Sequence, residues 1–256
     1  MVPPFDFSFF FRGYLAIVFG SAICFFLFGG WRRILTWLQP THLAATLSVG
    51  PWLMAAAIAV MGSAAFLAPA LVPGTGLAAA MLLISSSGCR PAEFWGLRRR
   101  NLGQDLGQSL ATLLTILWPV LLLLLASSSL YLALGLPLQL QPALLKFHQA
   151  RELDEMLPFL TYALIIAPIW EEVFFRGTLF PWLAGRLPIH QAQWLSALAF
   201  GAVHLHGPTL VPLTVFGALL AGIYRTSGSL LPAILVHALF NTNTCTLLLL
   251  GRAATE

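Results

Sequence analysis

Apolar runs suited to crossing a bilayer recur along the whole chain, and most of the charged residues fall between them. Eight such runs are read from the sequence: Tyr14–Gly30, Leu53–Pro69, Leu77–Ser87, Leu110–Leu134, Leu157–Phe175, Trp194–His204, Leu210–Tyr224 and Leu230–Leu250. A helix needs about 20 apolar residues to cross a hydrocarbon core ~30 Å thick. The third and sixth runs are short, so they are expected to be longer and tilted, re-entrant, or buried against neighbours. Backbone N–H and C=O groups find no water in lipid, so each run must satisfy its own hydrogen bonds as a helix. A β-barrel would show alternating segments of ~10 residues, and none is visible. Composition agrees: 9% of residues are charged and 59% hydrophobic, where a soluble domain carries ~25% charged. The prediction is an all-α, polytopic membrane helical bundle of about eight transmembrane helices. It is an integral, multi-pass protein, of the inner membrane if the source is bacterial.

The net charge of +4 does not point to nucleic acid, because the basic residues cluster between apolar runs. Arg32, Arg33, Arg90, Arg98, Arg99, Arg100, Arg186 and Arg225 fall on one side of the membrane if the runs alternate. Arg12, Lys146, Arg151 and Arg252 fall on the other. That asymmetry places the first set in the cytoplasm and both termini outside. The arginines of the loop Cys89–Leu106 suit anionic head groups. The N-terminus shows no basic leader or A-x-A-like site, so no cleavable signal is expected. Cys24, Cys89 and Cys245 are scattered mostly within apolar runs and read as small core residues.

Two polar linkers divide the chain, Cys89–Leu106 and Gly135–Met156. The second carries Glu152, Asp154 and Glu155, which suit the first turn of the helix that follows, where the dipole favours acids. Residues 1–156 read as N-terminal membrane helices with a basic loop, and 157–250 as the membrane helices that carry the chemistry. Both belong to one integrated membrane domain. The membrane runs before Leu157 hold almost no ionisable residue. After it come Glu171, Glu172, His204, His206 and His237. A charge in the bilayer interior costs at least ~2.5–3.5 kcal/mol, so ionisable groups there mark functional sites.

Successive helical side chains are ~100° apart, so Glu171 and Glu172 cannot both point at one spot. Glu172 and Arg176 stand at i,i+4 with the acid first, the favoured order for an ion pair, which leaves Glu171 on another face. His237 and Asn241, also at i,i+4, present to one site. Counted from the expected helix ends, Glu171, His204, His237 and Asn241 reach a similar depth, ~12–18 Å from the cytoplasmic side. His206 points away from His204 and is followed by Gly207-Pro208, which marks it as a helix-end or interfacial residue. Pro168, one turn before Glu171, removes a backbone hydrogen bond.

A carboxylate and an imidazole can hold a water and take its proton. A second imidazole and a carboxamide can donate to the oxyanion of a tetrahedral intermediate. The chain shows no G-x-S-x-G nucleophile pattern and no H-E-x-x-H zinc helix. Two other readings stay open on the residues alone. One is zinc held by Glu171, His204 and His237. The other is a non-catalytic polar cluster that relays protons or binds a partner.

Glu171-Glu172-x-x-x-Arg176, Phe200-x-x-x-His204 and His237-x-x-x-Asn241, in this order, resemble the CPBP intramembrane proteases. That family includes the CAAX prenyl endopeptidases and bacterial proteins linked to bacteriocin processing or immunity. The stretch Phe216–His237 is similar to the family as well, and the resemblance covers Leu157 to Thr242. It implies a metal-independent glutamic endopeptidase in the membrane, with no cofactor. Its substrate would be a membrane-associated peptide or protein in the lipid bilayer, and a prenyl group on it is not implied. By motif position Glu171 and His204 would activate water, His237 and Asn241 would form the oxyanion hole, and Glu172 and Arg176 would support the site.

Overall fold

The computed structural model describes residues 7–27, 29–39, 43, 45–97 and 102–253, and these are helical throughout, with short connections. Helices α1 (Phe7–Leu27) and α2 (Gly30–Leu38) open the chain. They are followed by α3 (Pro51–Leu67), a 3₁₀ turn (Pro69–Leu71) and α4 (Val72–Ser86). The short α5 (Pro91–Phe94) and the long α6 (Leu102–Ala133) complete the first half, and α7 (Pro142–Gln149) lies in the linker after it. Next comes one continuous helical run from Leu153 to Ala184. Its α-segments are α8 (Leu153–Thr161), α9 (Ala167–Phe174) and α10 (Phe180–Ala184), separated by π-helical turns at Tyr162–Ile166 and Phe175–Leu179. Helices α11 (Ile189–Ala202), α12 (Gly207–Ser227) and α13 (Leu230–Ala253) end the chain.

Local chemistry explains several boundaries. Pro51, Pro91, Pro142 and Pro208 sit in the first turn of their helices, where a missing N–H costs nothing. Glu152 and Glu155 close a capping box at the start of α8, so the acids of the second linker begin a helix as expected.

Among the described residues, five helical stretches are long and apolar enough to cross a membrane: Pro69–Ser86, Asp105–Ala133, Leu153–Ala184, Gly207–Ser227 and Leu230–Leu250. The all-α polytopic bundle is therefore what forms, while a count of eight spans is not reproduced among the described residues. Pro51–Leu67 is a shorter apolar helix. The run expected at Leu157–Phe175 extends in both directions, and the one at Leu77–Ser87 begins earlier. The run expected at Trp194–His204 instead starts at Ile189 and stops at Ala202.

Two further corrections concern the first half. Arg32 and Arg33, read as part of a loop, lie within α2, a nine-residue amphipathic helix. Cys89, read as a core residue, is exposed, whereas Cys245 is buried. The side chain of Cys24 and residues Arg98–Arg100 lie outside those described.

Helix α12 is the most enclosed of the five spans, with 61% of its apolar window buried. It packs against α2, α6, α11 and α13. An all-round apolar surface suits a helix surrounded by others, and Phe216–Arg225 is buried without a break. Side chains of the second half fasten α2 to this centre. Gln193 donates to the Trp37 and Ala218 carbonyls at 3.1 and 2.8 Å. Arg225 donates to the carbonyls of Trp37 and Gln39. Both groups thus satisfy the end of a helix whose last carbonyls have no partners of their own.

Candidate active site

The site forms where α9, α11 and α13 meet. Helix α9 brings Glu171, Glu172 and, one π-turn further on, Arg176. Both acids and the arginine are buried, Glu172 and Arg176 completely. The i,i+4 pair read from the sequence is present: Arg176 Nη1 donates to Glu172 Oε1 at 2.7 Å. The rest of the guanidinium lies over the Phe200 ring, 4.2 Å from its centroid. A cation on a ring face is favoured in a desolvated setting.

His237, buried on α13, meets the same oxygen, its Nδ1 2.8 Å from Glu172 Oε1. A carboxylate that already takes an arginine N–H can only accept, so His237 Nδ1 carries the proton. The other ring nitrogen, Nε2, then faces Glu171, 3.9 Å from its Oε2. That is too long for a direct hydrogen bond. It is short enough for one small molecule to touch both. Oε2 of Glu171 is buried without a hydrogen-bond partner in the protein, a costly condition that asks for an explanation.

His204 is placed differently from its expected position inside a helix. It sits on the turn after α11, half-buried, with Nδ1 2.8 Å from the Phe200 carbonyl. No described contact joins it to Glu171. The Phe200 ring lies between the two histidines, with its centroid 5.1 Å from His204 and 5.7 Å from His237. Phe200 is fully buried and organises the site, a role the sequence reading passed over although it stands four residues before His204. His206 is a helix-end residue, as read. It precedes α12 and contacts Thr209 and the Gln139 carbonyl at 2.9 and 2.8 Å.

Asn241, one turn beyond His237, donates its Nδ2–H to the Ala163 carbonyl at 2.8 Å. Ala163 belongs to the first π-turn, where the Ala167 N–H bonds back to Tyr162. The next donor along would come from Pro168, which has none. Asn241 thus supplies a bond that the backbone lacks, and its second amide N–H is left over.

The structure therefore gathers Glu171, Glu172, Arg176 and His237 into direct contact. It sets His204 one aromatic ring away and Asn241 one helical turn further along α13. Among the described residues no three His, Cys, Asp or Glu side chains are grouped as a metal's ligands.

The family model for type II CAAX prenyl endopeptidases, Rce1-like, matches residues 153–243. That segment runs from α8 into α13 and holds all six residues named above. The comparisons with curated proteins and with solved structures gave no match. The chain is thus an integral multi-pass membrane protein whose residues 153–243 are similar to the Rce1-like CAAX prenyl endopeptidases.

Proposed function

We propose that the protein is a metal-independent glutamic endopeptidase that cleaves a peptide bond of a membrane-associated peptide or protein. One observation carries the reading. Of two adjacent buried acids, Glu172 has its Oε1 taken by both Arg176 and His237, whereas the Glu171 carboxylate makes no hydrogen bond to the described residues; Oε2 of each acid is buried without a partner. Glu171 is therefore the carboxylate with capacity to take a proton from water.

In this scheme Glu171 deprotonates a water that attacks the scissile carbonyl carbon, and His204 helps hold that water. The carbonyl oxygen becomes an oxyanion, met by the second N–H of Asn241 and by His237 in its doubly protonated form, whose Nδ1–H stays on Glu172 while Nε2–H is the donor. Donors fixed before the reaction stabilise such charge most effectively. Collapse of the tetrahedral intermediate breaks the C–N bond, and Glu171 passes its proton to the departing amine. Glu172 and Arg176 act through His237, holding its ring in one orientation and keeping a proton on Nδ1.

The test is proteolysis in liposomes, with the protein co-reconstituted with either a prenylated CAAX-type peptide or an unmodified membrane-anchored peptide. Wild-type protein is expected to cleave at least one of them and Glu171→Gln neither. Equal cleavage by Glu171→Gln overturns the assignment.

A further inference from the structure

We propose that Trp95, outside the family segment, is a positioning residue that sets the orientation of the acid-bearing helix α9. The inference rests on the protease reading only for its kinetic consequence. Its structural content stands on hydrogen bonding alone.

The Leu153–Ala184 run contains Pro168 at the start of α9 and Pro181 in α10. Each proline withholds an N–H from a carbonyl earlier in the run. Opposite Pro168 the deprived carbonyl is Ala163, and Asn241 serves it. Pro181 follows the second π-turn, in which the Phe180 N–H bonds back to the Phe175 carbonyl, so its missing N–H leaves the carbonyls of Arg176, five residues back, and of Gly177, four back, short of a donor. There the buried Trp95 indole donates Nε1–H to the Gly177 carbonyl at 3.1 Å. A buried carbonyl left without a donor is costly, so each clamp favours the wide turn it serves.

Trp95 is itself held firmly. Its carbonyl accepts the Leu230 N–H at 3.0 Å, and the preceding carbonyl, of Phe94, accepts the Tyr224 hydroxyl at 3.4 Å. The chain then turns through Gly96 at a positive φ of 66°, which glycine adopts freely, with the Gly228 carbonyl against it. The turn after α5 is thus tied to the α12–α13 junction. Gly177 in turn admits the indole: a Cβ there would lie 2.7 Å from Trp95 Nε1. Arg176, the partner of Glu172, is the residue immediately before that glycine. The Trp95 bond therefore acts one residue from the ion pair that orders the site.

The decisive variant is Trp95→Phe, which keeps an aromatic ring and removes the donor. Pro181→Ala, added to it, restores a donor from the backbone. Two readouts are used on the full chain in liposomes. One is mass-spectrometric mapping of the hydrophobic reagent dicyclohexylcarbodiimide on Glu171 and Glu172, which needs no activity. The other is kcat and KM on whichever peptide the wild type cleaves.

Label is expected on Glu171 in the wild type. In Trp95→Phe the ratio of label at Glu171 to label at Glu172 should fall severalfold, because the helix is no longer held in one setting. A displacement of this kind should lower kcat by about tenfold to a hundredfold with KM little changed. Pro181→Ala should recover most of both losses.

An unchanged label ratio in folded Trp95→Phe overturns the proposal, as does a loss confined to KM. If Trp95→Phe does not fold but the double variant folds and labels as wild type, the proposal stands. If neither folds, Trp95 is a packing residue and the proposal falls. A shift in labelling with no cleavage by any form, wild type included, separates failure of the protease reading from failure of this one.

Discussion

His237 spans two neighbouring acids with one ring, its Nδ1 2.8 Å from Glu172 and its Nε2 3.9 Å from Glu171. Adjacent helical side chains diverge by ~100°, so no single atom on α13 could meet both. An imidazole can, because its nitrogens point in different directions. The two acids are thereby given unequal tasks by one partner.

Removing half of the buried ion pair should be far worse than removing all of it. Arg176→Met takes the guanidinium from buried Glu172, leaving it His237 alone, and is expected to cost about 3–5 kcal/mol. Glu172→Gln added to Arg176→Met should recover a large part, since the amide oxygen still accepts from His237. Denaturation in mixed micelles measures both, and a double variant weaker than Arg176→Met contradicts the scheme.

The two histidines should separate stability from activity. His204 is half-buried and contacts a backbone carbonyl, so His204→Ala should change stability by no more than about 1 kcal/mol. Its rate of cleavage should fall by about 10²–10⁴-fold if it handles the reacting water. His237→Ala should reduce both, because it also removes a partner of buried Glu172. Thermal unfolding and cleavage assays on the same preparations read the difference.

Asn241→Leu strands the Ala163 carbonyl and is expected to destabilise the protein by about 1–3 kcal/mol. Pro168→Ala supplies the missing backbone donor and should return that stability without returning activity, since the oxyanion donor stays absent. Recovery of cleavage in the double variant would remove Asn241 from the oxyanion hole.

Gly217→Ala tests the tightness of packing behind the site. Its Cβ would stand 2.9 Å from Arg176 Nη2 and 3.1 Å from Phe200 Cδ1. Arg176 is pinned by Glu172 and cannot swing aside, so a cost of about 1–3 kcal/mol is expected from overpacking. An unchanged melting temperature would show that the ring and guanidinium have room to yield.

Cleavage should survive exhaustive chelation. Zinc needs donors ~2.0–2.2 Å from one point, and the described side chains form no such group of three. Loss of activity on chelation, restored by zinc, would favour the metalloprotease alternative.

What the sequence made legible here was local. The Glu172–Arg176 pair and the shared register of His237 and Asn241 follow from helical spacing, which needs no knowledge of the fold. The end of α11 before His204 was hidden, because Ala202-Val-His-Leu-His206 holds no Gly or Pro to mark a stop. Helix α2 was hidden by its paired arginines, which read as a loop between membrane runs although their amphipathic spacing suits a helix. Trp95 and Gly177 are 82 positions apart, and nothing in the intervening residues announces that they touch. The unmet carbonyl was still traceable, since Pro181 advertises a missing donor four residues back.

The two wide turns also decide where the Leu153–Ala184 helix can change length. A π-turn holds one more residue than an α-turn. Deleting a residue within Tyr162–Ile166 closes that turn to ordinary α geometry and leaves the segments on either side in nearly the same phase. Deleting one within Ala167–Phe174, ahead of Glu171, swings the acids by about 100° around the axis. Insertions and deletions in this helix are thus not equivalent by position, and a helical wheel drawn across its full length assigns faces wrongly on both sides of α9.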